Sequence, residues 1–186
     1  MKTQLLSIIG VSLLFLSACS EDSEKDFTQE IETSRLKSTA TINAGVVQQN
    51  IRGFGGANII GWVSDLTSTQ RTKAFDPNNG IGLSVLRVRI SPNSADWSAN
   101  MATINAAKSY GAIVIASAWS APATMKDNYN LIGGKLKTSS YADYATHLRN
   151  FCTTVGGISA ISPVNEPNIT VNYESMSMTA SEVAAF

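Results

Sequence analysis

The sequence predicts an α/β fold in which parallel strands alternate with helices, and three observations carry that prediction. Short runs with strand character, glycine-rich at 51–58 and more apolar at 83–90, 112–118 and 158–164, are separated by segments with helical periodicity or capping signals. The third run is nearly continuous in apolar residues, the pattern of a strand buried on both faces. Polar residues gather where the runs end, with Arg89 at the second, Trp119-Ser120 at the third and Asn165-Glu166 at the fourth. A doubly wound sheet and a (β/α)8 TIM barrel both fit the alternation. Functional groups collected at the C-terminal ends of several strands select the barrel, which builds its sites on that face. The chain is expected to hold about the first four β/α units.

Along the chain, residues 40–47 alternate weakly and are expected as a strand before the first of these runs. Thr67-Ser68-Thr69-Gln70 has the spacing of a capping box and opens a helix that stops at Asp76-Pro77. In the strand at 83–90, Leu86, Val88 and Ile90 take one face, and Arg87 and Arg89 share the other. A helix is expected over 99–109, closed by Gly111, and a long loop over 119–139. Ser140 is expected to cap the next helix, on which Tyr141, Tyr144, Leu148 and Phe151 form an apolar stripe. Gly156-Gly157 ends it, and Thr179-Ala180-Ser181-Glu182 caps the last helix.

The N-terminus is expected to lie outside the fold. Lys2, the apolar stretch 5–16 and the small residues Ser17-Ala18 before Cys19 have the layout of a secretory signal, too short for a spanning helix. Residues 1–18 are therefore expected as a signal peptide. The cysteine at the cleavage point resembles a bacterial lipobox, so Cys19 is expected to be lipidated and to hold the protein to a lipid bilayer. Residues 19–39 are polar and rich in acids, composition that favours a tether over a packed core. An acidic run there also resembles the surface-export signal of Bacteroidetes lipoproteins, which implies the outer membrane or cell surface of a Gram-negative bacterium. The catalytic domain is then expected over 40–186.

Composition excludes several classes. With Cys19 lipidated, Cys152 has no partner, so neither a disulfide framework nor a cysteine metal site is available. Net charge is zero without a basic cluster, which argues against nucleic acid. His147 is the single histidine and sits on a helix, against a Ser-His-Asp triad or a histidine-rich metal site. Gly53-Phe54-Gly55-Gly56 lacks the third glycine of a dinucleotide fingerprint, with Asn58 standing there instead.

The chemistry concentrates in Asn165-Glu166-Pro167. A carboxyl at a strand end points into a barrel mouth, and Pro167 biases Glu166 towards an extended backbone. Asn165 offers an amide to a sugar hydroxyl, and Trp119 is expected as an exposed indole suited to the apolar face of a pyranose. Arg87 and Arg89 need carboxylate partners if they point inward. Glycoside hydrolysis uses one carboxyl as proton donor and a second on the other side of the anomeric carbon.

The motifs Gly53-Phe54-Gly55-Gly56-Ala57-Asn58, Leu86-Arg87-Val88-Arg89-Ile90, Trp119-Ser120-Ala121-Pro122, Met125-Lys126-Asp127-Asn128 and Asn165-Glu166-Pro167-Asn168 occur in order. Together they resemble glycoside hydrolase family 30, and Tyr173-Glu174-Ser175-Met176 resembles its glucuronoxylanase and xylanase branch. The resemblance implies a retaining mechanism with Glu166 as general acid/base, Asn165 near the sugar 2-hydroxyl, Trp119 lining the subsite at the cleaved bond and Arg87 supporting the carboxylates. It implies a xylan-type polysaccharide as partner, no metal or organic cofactor, and a side β-domain to which the strand at 40–47 would belong. The family's nucleophile is a glutamate on the seventh strand, beyond the four strands expected here, so the chain by itself is expected to be inactive. Glu182 reads as a helix cap, and Glu174 and Asp127 fall in loops. Other expectations are action on a β-1,6-glucan or β-glucoside, or a surface lipoprotein that binds glycan without cleaving it.

Overall fold

The computed structural model describes residues 49–186 together with 41, 43 and 45–47. The expected signal peptide, Cys19 and tether lie outside the described residues. Those described within 40–47 form no strand. Asn43 instead accepts a hydrogen bond from the Gly45 N–H at 3.0 Å, a local turn that competes with an extended conformation.

Within the unit Ile51–Phe186, four strands form one parallel sheet in chain order. They are β1 (Gly55–Asn58), β2 (Val85–Ile90), β3 (Ile113–Ala118) and β4 (Ala160–Ser162). Each crossover carries a helix: α1 (Ser68–Phe75), α2 (Met101–Ser109) and α3 (Tyr141–Val155), with α4 (Ala180–Ala185) after β4. Sequential parallel strands joined by helices are the repeating unit of the (β/α) barrel.

Alternation in β2 does what its sequence implies. Leu86, Val88 and Ile90 are buried in the core, and the arginines take the other face. Val114, Ala116 and Ala118 of β3 join that core, with Phe75, Ile104, Ala107, Tyr144, Leu148 and Phe151 packed from the helices. The other face of the sheet is covered unevenly. Ser117 is buried near the C-terminal end of β3, whereas Ile113 at its start and Ile161 on β4 are exposed. The near-continuous apolar run of β3 therefore reflects two-sided burial only towards its end.

Several boundaries move. The helix expected over 99–109 is divided into a 3-10 turn, Ser94–Asn100, and α2. Its start is set by Asn93, whose side chain accepts from the Ala95 N–H. The loop expected over 119–139 holds one 3-10 turn, Ala123–Met125, and a second, Thr138–Ser140, straddles its end. The second of these runs straight into α3, so Ser140 makes no side-chain cap. The strand expected over 158–164 shortens to β4. Backbone bonds from Ser159 N–H to the Val114 carbonyl and Asn165 N–H to the Ala118 carbonyl, both 2.7 Å, continue its attachment to β3. The capping boxes at Thr67–Gln70 and Thr179–Glu182 form with both reciprocal hydrogen bonds.

Candidate active site

Because the sheet is parallel, the C-terminal ends of all four strands lie on one side and bring together residues far apart in sequence. Arg87, on the sheet face opposite the helices, donates from Nε to Ser117 Oγ at 3.1 Å and from Nη2 to Asn165 Oδ1 at 2.5 Å. A guanidinium only donates, so the oxygen of the Asn165 amide must face it, and the NH2 end turns the other way. Asn165 Nδ2 then donates to Glu166 Oε2 at 3.2 Å. Three of the predicted residues thus form one chain, arginine to amide to carboxylate, and the carboxylate is its exposed end.

Glu166 does not adopt the extended backbone expected before proline. Its φ is +45°, in the left-handed region. The residue before a proline is barred from the right-handed helical basin, and a tight turn at 165–168 leaves the left-handed one. Such a conformation in a glutamate is held only where surroundings fix it, and functional sites are where it recurs.

Trp119 differs from its expected exposure, being buried at 8 %. The Arg87 guanidinium lies over its ring, 4.7 Å from the centroid, and the Trp62 ring meets it edge-on at 5.2 Å. An indole with a cation on one face is a wall, and the exposed aromatic surface belongs to its neighbours. Trp62 is 47 % exposed and Tyr173 41 %. They stand edge to face at 6.2 Å, and with Trp119 they line a largely apolar cavity of about 380 Å³. A larger hollow, about 610 Å³, lies against the outer side of α3 beside Trp97 and His147 and contains none of the predicted site residues.

Arg89 and Glu174 form a pair that sequence reasoning left apart. Arg89 Nε donates to Glu174 Oε1 at 3.0 Å, Nη2 binds Oε2, and Nη1 donates to the Ile60 carbonyl at 3.1 Å. Both side chains are nearly buried, 11 % and 9 % exposed, and Arg89 also lies over the Trp62 ring. The two-pronged contact fixes the segment carrying Tyr173 against β2. Trp62 had a readable signal, since it follows the end of β1 as Trp119 follows β3. The partner of Arg89, 85 positions away, had none.

The remaining assignments resolve simply. Glu182 caps α4 and also pairs with Lys135. The N–H of Thr179 and the ammonium of Lys135 hold the Glu182 carboxyl well down, to about 2. Asp127 accepts from the Lys135 N–H. Met176 and Met178 are core residues, and Cys152 packs partly buried beside it. His147 is less solvated than its helical position suggests. It lies between Trp97 and Tyr144, its Nε2 is buried without a partner, and burial pushes its pKa down. Among the described residues, no group of three or more His, Cys, Asp or Glu is placed to hold a metal ion, and no helix is long and apolar enough to cross a membrane.

No protein-family model matches the chain. Similar proteins do exist. The chain is 40% identical over 140 residues to the glucuronoxylanase XynC of Bacillus subtilis (strain 168), a stretch covering 70% of this chain and 33% of that protein. Its fold superposes on a glycoside hydrolase family 30 subfamily 8 xylanase from Clostridium acetobutylicum with a TM-score of 0.68 at 33% identity, over 77% of this chain and 40% of the other. Over this stretch the chain is similar to glycoside hydrolase family 30 xylanases. The catalytic domain of the family 30 xylanase C from Talaromyces cellulolyticus is similar too, with a TM-score of 0.61 at 26% identity, over 74% and 41% of the two chains. The chain spans about a third of the length of the curated relatives it matches. Its four parallel β/α units correspond to part of a family 30 (β/α)8 barrel.

Proposed function

We propose that this chain carries the general acid/base half of a retaining family 30 glycoside hydrolase acting on a β-linked plant polysaccharide, xylan or glucuronoxylan. The observation that carries the reading is the hydrogen-bonded chain Arg87–Asn165–Glu166, ending in an exposed carboxyl and stacked through Arg87 on the wall of the aromatic cleft. The relatives bear glucuronoxylanase and xylanase names, which supports the substrate class.

In the proposed reaction Trp62, Trp119 and Tyr173 hold a sugar ring, and Asn165 meets the 2-hydroxyl. The Glu166 carboxyl gives its proton to the glycosidic oxygen as the bond from that oxygen to the anomeric carbon breaks. A second carboxylate forms an ester bond to that carbon from the opposite side. Glu166, now ionised, takes a proton from water, whose oxygen displaces the ester and releases the sugar. Described acids near the site are already committed, Glu174 to Arg89 and Asp127 to the Lys135 N–H. The nucleophile is therefore assigned to another part of the barrel.

The same commitments favour a second reading for the chain by itself, glycan binding without cleavage. Titration with xylo-oligosaccharide, followed by tryptophan fluorescence, tests what both readings share. A saturable change is expected, and it should weaken at least about tenfold in Trp62→Ala, as loss of a stacking aromatic implies. A wild-type chain with no saturable change overturns the cleft assignment.

We also assign residues 1–18 to a signal peptide and Cys19 to lipidation, with residues 19–39 tethering the enzyme to the outer membrane or cell surface. The signal layout and lipobox resemblance support this. Labelled palmitate should enter the wild-type protein in a Gram-negative host and fail to enter Cys19→Ala, and label in the variant would sink the assignment.

A further inference from the structure

Lys126 is fully buried, 0% exposed, in the loop after the strand that carries Trp119. Its Nζ donates to Ser120 Oγ at 2.8 Å and to the Ser175 carbonyl at 2.7 Å. The first contact lies beside Trp119, and the second lies beside Glu174 and Tyr173, 49 positions along the chain. Ser120 Oγ donates its own hydrogen to the Ala121 carbonyl at 3.0 Å, so both atoms facing Nζ are acceptors. An ammonium there satisfies two of its three hydrogens, whereas a neutral amine satisfies both of its own. Burial accordingly lowers the Lys126 pKa to about 8, against the opposing pull of Asp127 and Glu174.

A buried lysine is a poor way to stabilise a core, since an apolar residue of the same size does as well or better. The geometry points to a different use. We propose that Lys126 is a positioning residue for the sugar cleft, clasping the 173–178 segment to the Trp119 loop through hydrogen bonds rather than through its charge. Met176 and Met178 anchor the far end of the segment in the core, and the stretch around Tyr173 and Glu174 has fewer ties. The segment's described backbone bonds run from Ser175 N–H to the Leu131 carbonyl, from Ser177 N–H to the Gly134 carbonyl and, at its far end, from Met178 N–H to the Pro167 carbonyl. The Gly133 N–H donates to Ser175 Oγ. Without the clasp, Tyr173 and the loop it pairs with rest on the Arg89–Glu174 contact, the bonds to 131–134 and the buried Met176. The assignment of these residues to a sugar cleft rests on the function proposed above, but the clasp itself does not.

The test is amide hydrogen exchange on the full chain as wild type, Lys126→Met and Ser120→Ala. The serine variant removes one acceptor conservatively, so the reading survives if the lysine variant folds poorly. Exchange across 131–135 and 173–178 is expected to quicken about tenfold or more in both variants, the loss of one buried hydrogen bond. Amides of β2 and β3 should keep their protection. In the wild type the protection of these segments is expected to persist from pH 7 to about 9.5, because the neutral amine keeps both bonds. Unchanged exchange in both variants overturns the clasp. Loss of protection spread evenly over β2 and β3 in both variants also overturns it, since it assigns Lys126 to the core. Loss of the wild-type clasp above pH 8 would show that charge, not hydrogen bonding, holds it. Xylo-oligosaccharide affinity measured alongside should fall in both variants. A wild type that binds no sugar removes the cleft reading and leaves the exchange result intact.

Discussion

Glu166 sits at the end of a hydrogen-bond chain whose direction is fixed by elementary donor chemistry. Arg87 donates only, which turns the Asn165 amide and aims its NH2 at the glutamate. Asn165→Ala therefore strands Arg87 Nη2 and frees Glu166 together. A loss of about 1 kcal/mol in unfolding free energy is expected, the low end of the penalty for a stranded donor, since Arg87 is partly buried. Chemical denaturation measures it, and a change near zero would mean that the chain carries no load. The motif around Glu166 was legible because its residue types are chemically unusual at a strand end. The left-handed backbone was not, since proline excludes one basin without choosing between the others. Trp119 was legible as a strand-end residue, but its expected exposure was not met, because its covering cation comes from another strand. Arg89 and Glu174 make the same point energetically. Breaking one side of a nearly buried pair leaves a bare charge, so Arg89→Met is expected to destabilise by about 3–5 kcal/mol. The double variant Arg89→Met with Glu174→Gln should recover much of that. Equal losses in single and double variants would contradict an uncompensated charge as the cause.

At the level of elements, the reciprocal helix-capping signals were read well, whereas single side-chain contacts such as Asn43 with Gly45 and Asn93 with Ala95 were missed. The capping boxes at Thr67 and Thr179 depend on atoms three positions apart, and both form. Ser140 fails as a cap because the preceding residues already coil into a 3-10 turn, an outcome set by the loop and invisible in the cap motif. β4 is short because its chain is held to β3 by irregular bonds at either end. Gly55 shows how closely β1 must approach β2. A Cβ built there would lie 2.2 Å from the Val85 carbonyl oxygen, so Gly55→Ala forces the two strands apart. The cap of α4 gives a pH prediction. The Glu182 carboxyl is held down to about 2 against an ordinary 4.5, by the Thr179 N–H first and Lys135 second. A lowered carboxyl pKa stabilises fully above the unfolded value and loses that contribution as pH falls through the folded one. Order in Ala180–Ala185 should thus persist at pH 5 and fade between about 4.5 and 2. Carbon chemical shifts of the helix follow this directly, and a midpoint near 4.5 would refute the lowered value.

For the molecule as a whole, the decisive quantity is the number of free carboxyls that face one sugar. Four parallel strands place Glu166, Asn165, Arg87 and three aromatic residues at one end, the set on which the proposed sugar binding and proton donation rest. A retaining reaction also needs a second carboxyl about 5–5.5 Å from the first. Glu174 has both oxygens on Arg89, and releasing it would leave a nearly buried guanidinium unpaired. The chain of 186 residues is therefore expected to bind xylo-oligosaccharide without releasing reducing ends. A longer polypeptide that completes the eight-stranded barrel, typically about 250 residues, should turn over xylan. In that longer protein Glu166→Gln is expected to lower the rate by about 10²–10⁴-fold, the usual contribution of a positioned proton donor, and to leave binding intact. Reducing-end assays on the four proteins, each chain with and without the substitution, separate the possibilities. Steady hydrolysis by the 186-residue chain, abolished by Glu174→Gln, would make Glu174 the second carboxyl and reverse the assignment. Hydrolysis by the longer protein that ignores Glu166→Gln would remove Glu166 from the chemistry and leave the Arg87–Asn165 pair as a sugar-binding feature alone.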